Sequence, residues 1–435
     1  MKQYNSYKDS GVKWLGEIPS HWEMRKAKFL WKESFAVSET GKEELLSVSQ
    51  YDGVLPAKTN SRSESLKGYK KVFENDLVIN IMLAWLGGLG VSKHEGLVSP
   101  AYCTYKLIHD SNPRFLHYLY KTPLYLAEFA RHSTGVVPSR WRMYTDDFGQ
   151  VLTLLPPTKE QDAIVNYLDA TTSKIDEAIA QQQKMIDLLN ERKQIIINNT
   201  ITKGLDPNVK MKPSGVDWIG DIPEGWEVSK IKNEISLLTD YDANGSFSDI
   251  AKNCNINNGS PYAWMVRTTD LVNNRIGIVE GNNYCDLKTY QYLSKSSLSS
   301  GDLLMTKRGN VGIVYVVPEC DCPMTLAPNL YLLKTKRSRV NNKFLKHFLS
   351  SSKPKGQLGL LNKSTTLGAL YKDDVKALQI VLPTLSEQEE IVAHIEKECV
   401  SIDKAISSTN KQISLLQERK QIIINDVVTG KVKVV

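Results

Sequence analysis

The octapeptide ERKQIIIN occupies residues 191–198 and occurs again, unchanged, at residues 418–425. Two identical copies 227 residues apart indicate an internal duplication, which has to be recognised before a fold is assigned. The copies close two related blocks, which begin EQDAIVNYLDATTSKIDEAI at residue 160 and EQEEIVAHIEKECVSIDKAI at residue 387. No proline or glycine falls inside residues 160–201 or 387–428, so both blocks are predicted to be helical.

Apolar residues recur every seven residues in both blocks and predict a narrow apolar seam on each helix. Gln182 and Thr409 interrupt the seams at equivalent positions. The simplest partner for each seam is the other copy, so we predict an antiparallel intramolecular coiled coil with pseudo-two-fold symmetry. Two helices packed separately on their own domains are the alternative, and a capping pattern at Ser173 also allows a short helix followed by a long one. The predicted pairing residues are Leu168, Ile175, Ile179, Ile186, Leu189, Ile196, Ile395, Ile402, Ile406, Ile413, Leu416 and Ile423.

A second repeated motif opens each half of the chain. SGVKWLGEIPSHWE at residues 10–23 returns as SGVDWIGDIPEGWE at residues 214–227. This offset is 204 residues, whereas the helical blocks are 227 residues apart, so the segment between motif and helix is 23 residues longer in the second half. We interpret the matched tryptophans and prolines as structural residues of an opening strand or turn.

The segments between these motifs contain short apolar runs, such as DLVINIML at residues 76–83, separated by Gly, Pro and Asn. Such runs are typical of strands and turns. Asp76-Leu77 matches Asp302-Leu303, which indicates that the two segments share a fold while their surfaces differ. We therefore predict an α/β (α+β) chain in which variable and helical segments alternate, with boundaries at 1–155, 156–205, 206–380 and 381–435.

The composition is that of an ordinary globular protein, with 41% hydrophobic and 24% charged residues. The formal net charge of +7 permits a polyanionic partner without requiring one. The N-terminal MKQYNSYKDS lacks the apolar core of a signal peptide, and no run of 18 apolar residues occurs. We therefore expect a cytoplasmic location in which the six cysteines are reduced, since their spacing indicates neither a zinc site nor a disulfide framework.

The motifs of several enzyme classes are missing from the sequence. It contains no G-x-x-x-x-G-K-[ST] phosphate loop, no H-E-x-x-H and no paired C-x-x-C. It also lacks the [ND]-P-P-[YF] motif of adenine amino-methyltransferases, and its seven histidines show no metal-binding spacing. The glycines of WLGGLGV at residues 85–91 are better explained by a turn than by a cofactor loop. We therefore predict no catalytic residue and no metal site.

Three stretches combine basic groups with polar or aromatic neighbours and contain no acid: SRWRMY (139–144), MTKRGNVG (305–312) and NKSTT (362–366). Arginine can pair with guanine and asparagine with adenine, while Lys, Ser and Thr hold phosphates. A fourth run, KTKRSRVNNKFLK (334–346), could follow a phosphate backbone; a solvated loop is the alternative for each stretch. With Arg267 added, the predicted DNA-binding residues are Ser139, Arg140, Trp141, Arg142, Arg267, Lys307, Arg308, Asn310, Lys363, Ser364 and Thr365.

On these motifs the chain resembles the specificity (S) subunits of type I restriction–modification systems, over nearly its whole length. The resemblance is carried by the two opening motifs, the duplicated ERKQIIIN and the helix openings PPTKEQDAIVNYLD (156–169) and PTLSEQEEIVAHIE (383–396). LVSPAYCTYKL (97–107) and LLMTKRGNVG (303–312) are also typical of the target-recognition domains of that family.

The resemblance implies that segments 1–155 and 206–380 are target-recognition domains, each of which reads one half of a split double-stranded DNA site. Because the two segments differ, we expect an asymmetric site. The helical spacers 156–205 and 381–435 would set the gap between the halves and dock methyltransferase subunits. The implied partners are two modification subunits and two restriction subunits. We expect those partners, and not this chain, to carry S-adenosylmethionine, ATP and Mg²⁺.

Three functions stay open on the sequence alone. The first is the non-catalytic DNA-specificity subunit that the resemblance implies. The second is a self-contained methyltransferase or nuclease, against which the missing motifs argue. The third is a silent or recombination-donor specificity cassette, or another non-catalytic protein that binds DNA or a partner.

Overall fold

A computed structural model of the chain describes residues 2–58, 65–137, 141–351, 356 and 369–434. The chain forms two compact units whose borders fall inside the helical blocks. Unit 1 consists of Met1–Lys184 together with Thr409–Val435, and unit 2 is the continuous segment Met185–Ser408. Unit 1 is therefore assembled from residues at both ends of the sequence.

Unit 1 contains short strands, short helices and most of the first long helix. The strands are β1 (Tyr7–Asp9), β2 (Glu17–Pro19), β3 (Glu23–Lys26), β4 (Trp31–Ser34), β5 (Leu46–Ser49), β6 (Gly53–Pro56), β7 (Lys70–Val72), β8 (Leu77–Asn80), β9 (Leu89–Val91), β10 (Gly96–Val98), β11 (Tyr102–Leu107) and β12 (Leu152–Leu155). The helices are α1 (Pro113–Tyr120), α2 (Pro123–Arg131), α3 (Thr145–Gln150) and the long α4 (Thr158–Lys203), with 3-10 turns at Ala27–Phe29 and Ala84–Leu86.

Unit 2 repeats this plan with additions. Its strands are β13 (Met211–Pro213), β14 (Asp221–Pro223), β15 (Glu227–Lys230), β16 (Ile235–Asp240), β17 (Ala263–Val266), β18 (Asn283–Cys285), β19 (Ser297–Leu298), β20 (Leu303–Thr306), β21 (Val314–Val316), β22 (Met324–Leu326), β23 (Leu330–Thr335) and β24 (Gln379–Leu382). Its helices are α5 (Ile231–Glu234), α6 (Phe247–Asn253), α7 (Thr268–Val272), α8 (Leu287–Tyr292), α9 (Asn342–Ser350), α10 (Lys372–Ala377) and the long α11 (Leu385–Val428), with 3-10 turns at Tyr241–Asn244 and Ser294–Ser296.

Each unit contains its own central four-stranded sheet, and the two sheets have equivalent strand orders. In unit 1 the antiparallel strand order is β4-β11-β8-β9, and in unit 2 it is β16-β23-β20-β21. Each unit also pairs its two opening strands, β1 with β2 and β13 with β14. The prediction that the variable segments share a fold is confirmed. The longer second segment adds a four-stranded sheet in the order β18-β17-β22-β19.

The sequence explains why the central sheets are covered. All four residues of β8, Leu-Val-Ile-Asn, are buried, as are the four of β20, Leu-Leu-Met-Thr. Strands buried on both faces read as continuous apolar runs, as these do. Helices α1 and α9 pack their apolar stripes onto this core and begin at equivalent caps, where the side chains of Asn112 and Asn341 each accept two backbone N–H groups.

The long helices α4 and α11 are each continuous, with 46 and 44 residues. The alternative of a short helix followed by a long one is therefore wrong. Each unit contains the N-terminal part of one long helix and the C-terminal part of the other, which is the arrangement of an antiparallel pair. The predicted antiparallel helix pair is confirmed, and each of the twelve predicted pairing residues is buried or half-buried.

One ion pair occurs twice in this helix pair, once in each unit. The Nζ of Lys420 lies 2.7 Å from an Asp176 carboxylate oxygen in unit 1, and the Nζ of Lys193 lies 2.7 Å from Asp403 in unit 2. Asp403 and Lys420 are the repeat copies of Asp176 and Lys193. The duplicated sequence thus makes the same contact twice, as pseudo-two-fold symmetry requires. Such partly exposed pairs contribute less than about 1 kcal/mol each and mainly favour one register.

The tryptophans that close the opening motifs are structural. The buried Trp22 donates its indole N–H to Glu160 Oε1 over 3.2 Å, and Trp226 donates to Glu387 Oε1 over 2.9 Å. These contacts tie each opening motif to the first turn of the long helix in its own unit. The interpretation of the matched tryptophans as structural residues is confirmed.

Each long helix ends against one of these tryptophans at a glycine. Gly204 and Gly430 both have φ of +76°, a conformation that glycine adopts without strain. A Cβ on Gly430 would lie 2.5 Å from Pro19 Cδ and 3.1 Å from Trp22 Cζ3, and one on Gly204 would lie 3.3 Å from Trp226 Cζ2. In unit 1, Lys2 also forms a β-bridge to Lys433, which joins the two ends of the sequence.

A buried glutamine beside each of these glutamates makes a testable contribution to stability. Gln161 accepts the N–H of Asn112 at the start of α1 and donates to the Pro156 carbonyl, both over 2.8 Å. Gln161→Ala leaves both backbone groups without these partners, so we expect a loss of about 2–3 kcal/mol in the free energy of unfolding, measured in urea. The exposed Gln194→Ala on the same helix is the control, expected within about 0.5 kcal/mol of wild type. Equal stability of the two variants would contradict this role.

Candidate nucleic-acid interface

Six of the eleven predicted DNA-binding residues lie in the described part of the chain. Ser139, Arg140, Lys363, Ser364 and Thr365 lie outside the described residues. Lys307, Arg308 and Asn310 lie in one turn of unit 2, and Trp141 and Arg142 lie beside the equivalent turn of unit 1. Arg267 lies apart from them at the end of β17.

The two turns occupy equivalent positions in the central sheets of their own units. Turn 1, residues 81–88, joins β8 to β9, and turn 2, residues 307–313, joins β20 to β21. The Ile81 carbonyl accepts the N–H of Met143 over 2.9 Å, and the Lys307 carbonyl accepts the N–H of Leu370 over 3.0 Å. Each turn is therefore flanked by an equivalent segment that comes from just before α3 or α10.

Turn 2 presents a basic and amide-rich surface. Arg308, Gly309 and Asn310 are exposed, whereas Thr306 below them is buried. The Thr306 hydroxyl accepts the N–H of Ile313 over 2.9 Å, and Arg308 forms a β-bridge to Ala369. The turn is thus held by the Thr306 side chain and by the bridge to Ala369, while the side chains of Arg308 and Asn310, which can read base edges, are exposed to solvent.

Lys307 is engaged inside the protein. Its Nζ lies 2.8 Å from Asp240 Oδ2 and 2.7 Å from Asp242 Oδ2, and Lys372 also binds Asp240 over 2.9 Å. Burial raises the pKa of Asp240, but the hydrogen bonds from both lysines outweigh it and leave that pKa below its usual value. Because two carboxylates neutralise its charge, Lys307 supports turn 2, and Arg308 and Asn310 are the groups left to face a ligand.

Arg267 is also paired. Its guanidinium lies 2.7 Å from the Oδ1 of Asp270, a carboxylate with no exposed surface, and its Nε contacts both oxygens of the same group. Trp264 donates its indole N–H to Asp270 as well. A buried carboxylate without these donors would be costly, so the pairing holds Arg267 in place.

The basic run 334–346 is largely balanced by acids from elsewhere in unit 2. Ion pairs join Lys334 and Arg337 to Asp302, Arg339 to Glu234 and Lys343 to Glu396. The run itself contains no acidic residue, but acidic residues from other parts of unit 2 lie next to it in the fold. This pairing reduces the positive charge that the run can offer to a phosphate backbone.

Turn 1 has a different surface. The side chains of Met82 and Leu86 are 42% and 41% exposed, and Trp85 lies between them. The rings of Trp85 and Trp141 meet edge to face with centroids 5.3 Å apart. The exposed Arg142 follows Trp141. Turn 1 is therefore an apolar, aromatic surface with one guanidinium beside it.

Lys121 holds turn 1 from below. Its Nζ donates to the carbonyls of Gly87 over 2.8 Å and Gln50 over 2.6 Å. Burial lowers the pKa of Lys121 to about 8, so the side chain is still mainly charged at neutral pH. One ammonium thus joins turn 1 to the tip of the β5–β6 hairpin.

The neighbouring His117 makes unit 1 sensitive to acid. Its Nδ1 accepts the N–H of Val91 over 3.1 Å, and burial, with nearby cations, lowers its pKa to about 3. The folded pKa lies below the unfolded value of about 6.5, so the stabilisation is complete above pH 6.5 and is lost as the pH falls toward 3. We expect the free energy of unfolding to fall by up to about 1.4 kcal/mol per pH unit in this range.

Calorimetry between pH 7 and pH 4 would test this dependence. His117→Gln keeps an acceptor for Val91 but does not titrate, so it should flatten the pH dependence. The exposed His394→Gln is the control and should retain the wild-type slope. A wild-type slope in His117→Gln would assign the acid sensitivity to other groups.

No metal-binding cluster is present among the described residues, where no three His, Cys, Asp or Glu side chains converge. The described helices also include none with the length and hydropathy of a membrane span. The six cysteines are free thiols, and Cys320 and Cys322 bring their Sγ atoms within 2.7 Å of each other.

The residues of turn 1 escape sequence reasoning because Met82, Trp85 and Leu86 look like core residues. A signal for them exists in the repeat. Aligning Asp76-Leu77 with Asp302-Leu303 places Met82 opposite Arg308, a residue that the sequence does single out.

The fold and these turns can be compared with known proteins. Residues 223–416 match the family model of the type I restriction modification DNA specificity domain. The type I restriction enzyme MjaVIII specificity subunit from Methanocaldococcus jannaschii is 27% identical over 287 residues, covering 64% of this chain and 62% of that protein. The chain is therefore similar to the specificity subunits of type I restriction–modification systems.

The aligned region of this chain spans less than two thirds of the archaeal relative's length. The EcoKI specificity subunit from Escherichia coli is 23% identical over 386 residues, covering 84% of this chain and 76% of that protein. One solved structure concerns the structural basis of complex assembly and conformational transition of the type I R-M system. A chain of that structure aligns with a TM-score of 0.69 at 13% identity, covering 94% of this chain and 98% of that one. At that identity the likeness shows the fold alone.

Proposed function

We propose that this chain is a type I specificity subunit that reads the two halves of a split, asymmetric double-stranded DNA site, one half with each unit, and catalyses no reaction itself. The observation that carries this proposal is the pair of equivalent turns with different surfaces. Turn 2 exposes Arg308 and Asn310, whereas turn 1 exposes Met82 and Leu86. Two units with the same central sheet but different exposed turn residues are suited to a target whose two halves differ in sequence.

Arg308 is the residue of turn 2 best suited to read a base, because it is exposed and no acidic partner neutralises it among the described ion pairs. Arg308→Ala is expected to cost about 1–3 kcal/mol of DNA binding and to relax one position of one half-site. Binding to duplexes that vary at each position, at two salt concentrations, measures both effects. Arg337→Ala, at a cation already paired with Asp302, is the matched control. A uniform loss over all sequences with a shallower salt dependence would assign Arg308 to phosphate.

The long helices support the docking of two copies of one partner. Leu188 and Ile195 in unit 2 are 51% and 50% exposed, and Leu415 and Ile422 in unit 1 are 55% and 52% exposed. The second pair is the repeat copy of the first. Large exposed apolar side chains at equivalent positions are typical of interaction sites. We assign them to two modification subunits, to which two restriction subunits would be added.

The partners would supply the chemistry. S-adenosylmethionine would be held by the modification subunits, and ATP and Mg²⁺ by the restriction subunits. No residue of this chain is assigned to any of them. The role of this chain is to place the partners on DNA by its own contacts and by the length of its helices.

A genome-wide adenine-methylation map of the host, with and without the gene, tests the proposal. We expect one split motif with a fixed gap to disappear on deletion. An unchanged map contradicts an active specificity role. Co-purification of the chain with a methyltransferase subunit would then separate a silent or donor cassette from a protein of another function.

A further inference from the structure

Turn 1 carries an apolar surface at the place where turn 2 carries its base-reading groups. We propose that Met82, Leu86, Trp85 and Trp141 form the base-reading surface of unit 1 and recognise thymine through its 5-methyl group. The inference rests on the proposed function and adds the chemistry by which one half of the target is recognised.

The first step is the structural equivalence of the two turns. Turn 1 follows β8 and turn 2 follows β20, the third strands in sheets of the same order. Both are held by a backbone hydrogen bond to the segment before α3 or α10. If turn 2 faces DNA with Arg308, the shared scaffold gives turn 1 the same orientation within its own unit.

The second step is the chemistry of the exposed groups. Leu86 has no hydrogen-bonding group and the Met82 thioether is only a weak acceptor, so neither side chain supplies the strong hydrogen bonds that distinguish most base edges. In the major groove the 5-methyl group of thymine is the feature that apolar side chains recognise. The exposed Arg142 beside Trp141 supplies a cation for the adjacent phosphates. DNA is therefore favoured over an apolar protein partner for this surface.

The third step is the rigidity of the surface. The Trp85 indole N–H donates to the Met82 carbonyl over 3.2 Å, and its ring packs against Trp141. Lys121 fixes Gly87 at the end of the turn. Both tryptophan rings are half-buried, so the surface is a fixed shallow face. Such a face suits contact with a base edge better than insertion between stacked bases.

Replacement of thymine by deoxyuridine tests the proposal, because it removes only the methyl group. The protein is the chain in complex with its methyltransferase subunits, and the duplex carries the mapped motif. Arg308→Ala identifies the half read by unit 2, and the other half belongs to unit 1. We expect deoxyuridine in the unit 1 half to weaken binding about fourfold for each contacted thymine, and the same change in the unit 2 half to leave the affinity unaltered.

Two exposed positions allow a variant that should fold normally. Met82→Ser with Leu86→Ser should weaken binding to the thymine duplex and abolish discrimination between thymine and uracil. Ile108→Ser is the matched control. Ile108 is 58% exposed and follows the C-terminal end of β11, which lies at the end of the sheet away from turn 1. That control should discriminate as the wild type does.

Three results would overturn the inference. One is equal wild-type affinity for thymine and uracil in the unit 1 half, and another is a unit 1 half without any A·T pair. The third is a rise in 2-aminopurine fluorescence in that half without a methyl effect, which would assign base insertion to Trp85 instead. These results differ from a failure of the proposed function, in which the methylation map would show no split motif that depends on the gene.

Discussion

Removing residues 180–186 from α4 together with the equivalent residues 407–413 from α11 is expected to shorten the gap in the DNA target by about three base pairs. Seven residues of helix are about 10.5 Å long, and a base pair rises about 3.4 Å. Seven residues also preserve the seven-residue phase of the apolar seam. Both ion pairs, Asp176–Lys420 and Lys193–Asp403, lie outside the deleted segments and keep their register.

A methylation map of a host that carries the shortened gene measures this result directly. Both half-site sequences should stay the same while the gap between them changes. Deleting four residues from each helix at the same places is the control, because it rotates the seam out of phase and should prevent stable folding. An unchanged gap in a folded seven-residue deletion would show that the helices do not set the spacing.

Replacing Leu188 and Ile195 by serine is expected to reduce the complex from two modification subunits per chain to one. The two side chains are already half-buried, so burial of their remaining surface contributes about 1.5–3 kcal/mol in total, and their loss should weaken that one site about 10- to 100-fold. The equivalent pair, Leu415 and Ile422, belongs to unit 1 and is left intact. Mass measurement of the purified complex gives the stoichiometry.

Val400→Ser is the matched control for this experiment. Val400 is 53% exposed on α11, but its repeat copy is Ser173, so it has no symmetric counterpart. This variant should bind two partner copies. Combining the changes at Leu188, Ile195, Leu415 and Ile422 should remove both partners. If the first variant loses both copies at once, the two sites are not independent.

The sequence was sufficient to predict the long helices and their pairing because their signals are local and periodic. The agreement weakens near the helix ends, where Ile197 is more buried than the predicted Ile196. There α4 packs onto the core of unit 2, and a straight helix drifts by about 20° per heptad from a perfect seven-residue repeat.

Contacts between residues that are far apart along the chain leave no local or periodic pattern in the sequence from which they could be predicted. The sequence predicts Lys307 as a DNA-binding residue because no acid lies near it along the chain, yet Asp240 and Asp242, more than sixty residues earlier, pair with it. The apolar groups of turn 1 escape prediction because Met82 and Leu86 are apolar in sequence but exposed in the fold. Composition cannot distinguish a methionine on the surface from one in the core until the strands are ordered.

The division of unit 1 between the two ends of the sequence has a consequence for biosynthesis. Unit 2 is continuous and can close once residue 408 has left the ribosome, whereas unit 1 waits for Thr409 onward, more than 200 residues after Lys184. At about 5–20 residues per second this delay is roughly 10–45 s. During that interval the nascent first half lacks the α11 segment that covers Trp22, Ile164 and Leu168, so the segment made first matures last.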